Sequence, residues 1–409
     1  MPLLVCPSTK ESRLAVSHRT GENPIEVQVL VACARKVMDA AQRSRFTELV
    51  AQPLDWNFLL KLANENGLLP LLHKHLTEAA AGGIHADVLT QISQANREGA
   101  LRSLLLTAEL LRILDAFRQP GIRAIPYKGP VLAERAYGNP SLRQFEDLDI
   151  VTPQRFMPAV YDAMQSLDYQ ARLPRERFSA EGSQAIPGEY VFVHRENKAM
   201  VELHTELTLR HFPVAPDIEE MIGRAILVQI NNREVPAFAA EDALLMLAVH
   251  GAKDFWARLV WVADIAEIVK QSPGIDWEKL LEEARKLKVR RMLNFSLLLA
   301  REILDLTLPP EIVRQIESDA PVKRLTRQFV QHPVNGEAIP EGALRRSLYR
   351  IRMVEGPWNG LRYWARLTTA PAEEDWAMTD IPGRFSGSYA LLRPFRLWKK
   401  YGQRGSPRE

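Results

Sequence analysis

The stretch "YKGPVLAERAYGNPSLRQFEDLDIV", residues 127–151, contains a Lys-Gly pair followed by an acidic segment, and its pattern indicates the kind of fold that the chain forms. Its last part begins a predicted strand at 147–152. Side chains alternate between the two faces of a strand, so Asp147 and Asp149 point one way and Glu146 points the other way. Two carboxylates on one face can hold a hard divalent cation such as Mg²⁺. A D-x-D pair is common, however, and a solvated loop is the competing interpretation.

The first part of the stretch favours a phosphate site. Residues 122–127 form a predicted strand, and residues 128–138 form a predicted helix that opens with Gly and Pro. Lys128 and Gly129 therefore place a cation and a bare backbone at a helix N-terminus, which suits the phosphates of a nucleotide. The alternative is an ordinary strand-to-helix turn with an exposed lysine, and the Walker A pattern is absent.

A predicted hairpin at 189–207 adds a third acid. In "VELHTEL", Glu202 and His204 share one face of the second strand. A carboxylate on a strand beside the Asp pair would complete a two-metal site that orients or deprotonates an attacking hydroxyl. Two alternatives stay open: Glu202 faces solvent on an edge strand, and His204 is a structural histidine.

Further cations accompany these acids. Arg143 precedes Asp147 by four residues and either clamps a phosphate or pairs with Glu146. His250 and Lys253 lie three residues apart on one helical face. They contact a base, a ribose or an acceptor, unless they form the surface or interhelical contacts that are usual for such pairs.

Helical periodicity flanks this α/β part on both sides. The predicted helices cover 58–76 and 101–121 before it, and 241–256, 260–271 and 276–304 after it. We therefore expect an α+β chain with the following divisions: a flexible N-terminus (1–23), an N-terminal helical region (24–120), the α/β core (121–239), a C-terminal helical region (240–330), and an irregular basic and aromatic tail region (331–409).

Composition narrows the class of protein. The chain has 409 residues, is 46% hydrophobic and carries a formal charge of +3, which gives no strong signal for nucleic-acid binding. Its two cysteines allow no disulfide framework, and no apolar run of ~18 residues predicts a membrane span. We expect a cytoplasmic protein. The tail segment "LLRPFRLWKKYGQR" (391–404) could meet an acidic partner or a membrane surface, but packing of its aromatic residues on the body is favoured.

The order of these parts resembles a known family. Residues 127–151 followed by "VELHTEL" (201–207) resemble the nucleotidyltransferases of the DNA polymerase β-like superfamily, and in particular a bacterial branch with K-G, R-x-x-x-D-x-D and acid-x-H motifs. The helical segment "EDALLMLAVHGAKDFWARLVWVADIAEIV" (241–269) is similar to the continuation of that branch. The resemblance implies an α+β fold. A polymerase β-like core, a small mixed β-sheet with helices, would be flanked by N- and C-terminal helical regions.

The resemblance also implies roles. Catalysis and metal binding fall to Asp147, Asp149 and Glu202, with two Mg²⁺ ions, or Mn²⁺, as cofactors. With the cations above, the predicted nucleotide-binding set is Lys128, Gly129, Arg143, His204, His250 and Lys253. The expected reaction transfers a nucleoside monophosphate from a nucleoside triphosphate (ATP by default) to a hydroxyl of an unknown small molecule, peptide or protein. The alternative is a nucleotide-binding or interaction protein that uses the same fold without turnover.

Overall fold

The computed structural model describes residues 23–79, 84–178, 188–206, 216–331, 333–334, 343–356, 358–362 and 365. Nearly all of the expected flexible N-terminus and most of the predicted tail region lie outside these ranges, including the segment 391–404. The part of the chain described combines many helices with a small mixed sheet. This confirms the predicted α+β class.

Helices make up the region before the sheet. They are α1 (Ile25–Cys33), α2 (Ala40–Val50), α3 (Trp56–Glu65), α4 (Leu69–Glu78) and α5 (Ala86–Arg118). The apolar period of 58–76 predicted one continuous helix, but the chain divides it into α3 and α4 at Gly67, whose φ is 71°. α5 stops just before Pro120-Gly121, as the breaker residues predicted.

The main sheet has five strands in the order β1-β2-β5-β4-β3. The strands are β1 (Ile125–Pro126), β2 (Asp147–Val151), β3 (Tyr169–Ala171), β4 (Glu189–His194) and β5 (Met200–His204). β2 and β5 run parallel, and the other neighbours run antiparallel. Two helices accompany the sheet: α6 (Gly129–Tyr137) connects β1 to β2, and α7 (Met157–Ser166) connects β2 to β3.

A second hairpin follows that the sequence reading did not predict. After α8 (Ile218–Gly223), β6 (Ile226–Ile230) pairs with β7 (Arg233–Ala237). The two strands are joined by Asn231 and Asn232, whose φ values are 49° and 61°. Two left-handed residues, with Asn favoured at both, are typical of a type I′ hairpin turn, so this signal was present in the sequence.

The region after the hairpins is helical again. It contains α9 (Ala240–Lys253), α10 (Leu259–Gln271), α11 (Trp277–Lys286), α12 (Arg290–Leu304), α13 (Pro310–Ser318), α14 (Ala320–Gln331) and α15 (Ala343–Met353). The predicted helix 276–304 is divided into α11 and α12, with Lys288 left-handed at φ 60° between them. The apolar periodicity of the sequence continues across this break because each of the two helices buries an apolar stripe, so the pattern alone did not reveal the break.

Two apolar clusters hold these elements together. The helical core joins buried side chains of α1–α4 to those of α9–α14, so the helices from both ends of the chain share one interior. The sheet core packs the second half of α5 and α7 against one face of the sheet. That face carries Leu148, Ile150, Tyr190, Phe192, Val201 and Leu203. The opposite face of β2 and β5 carries Asp147, Asp149, Glu202 and His204, and the candidate site lies there.

Candidate active site

The pairing of β2 with β5 brings the predicted acids together. Asp149 and Glu202 are direct partners across the two parallel strands. Since paired residues and residues two apart lie on one face, Asp147, Asp149, Glu202 and His204 all face away from the sheet core. Glu146 is exposed, whereas Asp149 is 3% exposed. The solvated-loop interpretation therefore does not hold for Asp149.

Three of these side chains converge closely. Asp149, Glu202 and His204 each offer one ligand atom, and the three atoms lie within 4.8 Å of one another. His204 Nε2 lies 3.0 Å from Asp149 Oδ1 and 3.7 Å from Glu202 Oε2. Two carboxylates and an imidazole form a donor set that suits a divalent cation, because the oxygens are hard ligands and the nitrogen suits transition metals. The residues present therefore fit a divalent cation, and His204 stands in this group where the prediction had Asp147.

Asp147 lies on the same face but outside that group of three. Its side chain is half-buried and makes no hydrogen bond or ion pair with any residue that the structure describes. Burial and the neighbouring Asp149 charge raise its pKa above the ordinary value for an aspartate. An unpaired carboxylate with a raised pKa gains most from a cation placed near it.

Lys128 is turned toward the acids. Its Nζ lies 3.0 Å from Asp149 Oδ1, and the Tyr127 hydroxyl donates to the same oxygen at 3.3 Å. The lysine side chain is 14% exposed, so this is a buried ion pair and not a lysine free in solvent. The exposed-lysine interpretation is thus excluded, and one oxygen of Asp149 is contacted by Tyr127, Lys128 and His204.

The surroundings of the two paired acids shift their pKa values in opposite directions. Burial alone would raise the pKa of Asp149, but Lys128 and the bond to His204 outweigh it and hold the pKa well below the ordinary range. Burial, followed by the charges of Glu189 and Asp149, raises the pKa of Glu202 to about 7. One acid is therefore fixed as a carboxylate, while the other is divided between its two protonation states near neutral pH.

Gly129 begins α6 directly beside the acidic strand. Its φ is 56°, a left-handed value that side-chain-bearing residues rarely adopt. A Cβ built on it would lie 3.5 Å from the backbone oxygen of Asp147, so the start of α6 and the start of β2 are neighbours. The N-terminus of α6 thus opens beside the carboxylates, where its unpaired N–H groups favour negative charge.

Arg143 pairs with an acid that the sequence did not point to. Its guanidinium is buried and forms a bidentate pair with Asp264 of α10, with Nε–Oδ1 and Nη2–Oδ2 distances of 2.9 Å. The Tyr137 hydroxyl donates to the same carboxylate at 3.0 Å. Arg143 therefore does not pair with Glu146, and its hydrogen-bonding groups are engaged in joining the core to the C-terminal helices.

His250 and Lys253 end α9 near this site. Burial and the charge of Lys128 lower the pKa of His250 well below its ordinary value, so the imidazole is neutral at pH 7. His250 Nδ1 lies 3.5 Å from Asp254 Oδ2, and its ring packs edge-on against Trp261. The ammonium of Lys253 has no hydrogen bond or ion pair within the described ranges. The pair thus contributes one neutral ring and one unpaired cation near Lys128.

A family match agrees with these features. The family described as "Uncharacterised nucleotidyltransferase" matches residues 52–305. The chain belongs to this family. The matched range contains every predicted site residue and runs from α3 to the end of α12, whereas α1, α2 and α13–α15 lie outside it. The family resemblance of the acidic stretch and of "VELHTEL" is therefore confirmed.

Other comparisons with this nucleotidyltransferase family member add little. No curated protein matches the chain. Among solved structures, that of the antibiotic-resistance factor ANT(2'')-Ia aligns at 12% identity, over 56% of this chain and 99% of that one, with a TM-score of 0.28. Within the described residues, no helix combines the length and apolar character that crossing a membrane requires.

One acid of the candidate site was missed from the sequence. Glu189 begins β4 and is the direct partner of His204 on β5. It is half-buried, and its charge raises the pKa values of Glu202 and Tyr127. Because directly paired residues of antiparallel strands lie on one face, this pairing places Glu189 on the face that carries the other acids.

Proposed function

We propose that this protein transfers a nucleoside monophosphate from a nucleoside triphosphate to an acceptor hydroxyl and releases pyrophosphate, on a polymerase β-like core. The observation that carries the proposal is the convergence of Asp149, Glu202 and His204 within 4.8 Å, with Lys128 against Asp149. Family membership supports the same reaction class. A cluster that served only to stabilise the fold would not bring several carboxylates onto one half-buried face, since like charges there oppose folding.

The proposed cofactor is a pair of divalent cations, Mg²⁺ by default. Asp149, Glu202 and His204 would hold one, and Asp147 would serve the second beside them. The imidazole in the donor set makes Mn²⁺ an equally suitable ion, because nitrogen ligands suit it better than they suit Mg²⁺. Bound there, such cations would neutralise phosphate charge and lower the pKa of the attacking hydroxyl.

The chain's own residues would hold the triphosphate. The α6 N-terminus at Gly129 offers backbone N–H groups, and Lys128 offers a cation at the same place. Lys253 supplies a second cation that has no partner within the described ranges. Arg143 is left out of this set because its guanidinium is bonded to Asp264. ATP is the default nucleotide.

In the transfer step, one bond to the α-phosphorus forms and one breaks. The acceptor oxygen forms a bond to the α-phosphorus, and the bond from that phosphorus to the bridging oxygen breaks. Pyrophosphate leaves with the bonding electron pair, and the hydroxyl proton passes to solvent. Glu202 and Glu189 lie at the end of the site away from Asp147, and we assign the acceptor hydroxyl, of a small molecule, peptide or protein, to that side.

The test measures binding and turnover separately. The full chain is mixed with each of the four nucleoside triphosphates and Mg²⁺ or Mn²⁺, and binding is followed by calorimetry. Transfer is followed as pyrophosphate release and as α-phosphate label incorporated into components of a cell extract. We expect binding and label transfer in the wild type, loss of transfer in Asp149→Asn, and no change in Glu146→Gln, an exposed control on the opposite face.

Three outcomes would decide against the proposal. Unchanged transfer by Asp149→Asn would remove the acid from the chemistry. Nucleotide binding without transfer in any extract would favour the nucleotide-binding protein without turnover. The absence of nucleotide binding with either cation would remove both functions.

A further inference from the structure

A cavity lies among helices that do not contribute to the candidate active site. It has a volume of about 410 Å³ and is bounded by α1, α2, the end of α12 and the end of α14. This volume is within the usual range for small-ligand sites. None of the site residues described above lines it. Its most unusual lining residue is Arg35.

Arg35 is a buried cation whose hydrogen-bonding capacity is only partly used. The residue is 4% exposed, and its Nε and Nη1 are shielded from solvent without a hydrogen-bond partner among the residues that the structure describes. Arginine is rarely buried unless it is paired, because the N–H groups lose their water without replacement. A guanidinium in this state has a strong preference for any anion that can reach it.

Asp305, the acid that approaches the Arg35 guanidinium within the described ranges, does not satisfy it. Asp305 Oδ2 lies 3.6 Å from Arg35 Nη2, which is longer than a hydrogen bond, and the Asp305 side chain is 75% exposed. Solvent screens a carboxylate that is exposed to this extent. Asp305 therefore stands at the rim of the cavity while two donors of Arg35 remain unpaired.

The backbone around Arg35 is fixed from the opposite side. His75 Nε2 lies 2.7 Å from the Arg35 carbonyl oxygen, and His75 is buried in the helical core. The remaining lining is about half apolar, including Val27, Val31 and Ile303, and half polar or charged. The cavity thus presents one buried cation at a fixed position, with aliphatic side chains beside it and the exposed side chains of Arg45, Glu302 and Asp305 at its rim.

The geometry points to a binding site for a small carboxylate with a short apolar chain. The planar guanidinium matches a carboxylate with two parallel N–H···O bonds, and a single buried cation matches a single negative charge. The aliphatic side chains of the lining, such as Val27 and Val31, would cover the rest of such a molecule. This site lies on α1, α2 and α14, outside the family-matched range, as well as on α12. The inference does not depend on the proposed transfer reaction.

Calorimetry on the full chain with butyrate tests this site. We expect one equivalent of butyrate to bind with a dissociation constant of about 1 mM or lower. Arg35→Met should weaken binding at least about tenfold, since the charge-assisted bonds are lost. Arg43→Met is the matched control, because Arg43 is an exposed cation of α2 that does not line the cavity. Butanol, which has the chain without the charge, should not bind measurably.

A second variant guards against a folding defect in Arg35→Met. Asp305→Asn removes the competing charge at the rim, and its left-handed backbone, with φ of 58°, tolerates asparagine. We expect it to bind butyrate severalfold more tightly than the wild type. The proposal is overturned if the wild type does not bind butyrate, if Arg35→Met binds like Arg43→Met, or if Asp305→Asn binds more weakly than the wild type.

Discussion

Arg143 and Asp264 are 121 positions apart in sequence, yet they form a bidentate, buried ion pair between the loop before β2 and helix α10. The loop that carries Arg143 leads directly into the acidic strand. The pair therefore fixes the entry of that strand against the C-terminal helices, with Tyr137 of α6 bonded to the same carboxylate. These contacts make Arg143 a residue that positions the acidic strand.

Removal of the carboxylate should destabilise the whole chain. Asp264→Asn leaves the Arg143 cation buried without a charge partner, which costs about 3–5 kcal/mol in comparable pairs. We expect a loss of that order in the free energy of unfolding, measured by urea denaturation. Glu282→Gln is the control, because it breaks an exposed pair with Arg285 on α11 and should change the stability little. Equal losses in the two variants would show that Arg143 does not depend on Asp264.

The sequence predicted the Asp pair and Glu202 because strand alternation acts locally. A period of two residues places Asp147 with Asp149, and Glu202 with His204, whatever the rest of the chain does. The parallel pairing that brings the two strands side by side is a non-local contact, which alternation along a single strand does not predict. The partner of Arg143 was beyond local reasoning for the same reason, since Asp264 arrives from a distant helix.

The predicted helix boundaries were wrong where a single left-handed residue ends one helix while the apolar periodicity of the sequence continues into the next. Gly67 and Lys288 both adopt positive φ between helices that share one buried stripe. A glycine is a visible signal, although the apolar pattern outweighed it. A lysine gives no such signal, because the tertiary packing of α11 and α12 imposes its conformation.

Lys128 should compete with a cation for Asp149. Its ammonium contacts the same oxygen that a metal would use, so Lys128→Met removes both a competitor and a repelling charge. We expect Mn²⁺ to bind about tenfold more tightly to the variant and nucleoside triphosphate to bind more weakly. Calorimetric titrations with each ligand measure the two changes. Lys279→Met, at an exposed position of α11, should leave both affinities unchanged, and parallel changes of the two affinities in Lys128→Met would contradict this role.

Cation binding should depend on pH through Glu202. The pKa of its carboxyl is about 7, so below that pH a proton occupies the group and must leave before a cation binds. Affinity should therefore fall as pH decreases below about 7, approaching tenfold per pH unit for one proton, and Glu202 should add no dependence above it. Mn²⁺ titrations across this range measure the slope. Glu202→Gln should bind more weakly and lose this part of the dependence; an unchanged slope in that variant would assign the proton to another group.

Glu189 should set the position of that pH dependence. It is paired with His204 across β4 and β5, and its charge is the largest influence on the Glu202 pKa after burial. Glu189→Gln removes a negative charge that disfavours ionisation of Glu202, so the pKa of Glu202 falls and the midpoint of Mn²⁺ binding moves to lower pH. Glu196→Gln, exposed in the turn of the same hairpin, should leave the midpoint in place. A midpoint that stays fixed or rises in Glu189→Gln would show that the carboxylate acts on the site by some route other than its charge.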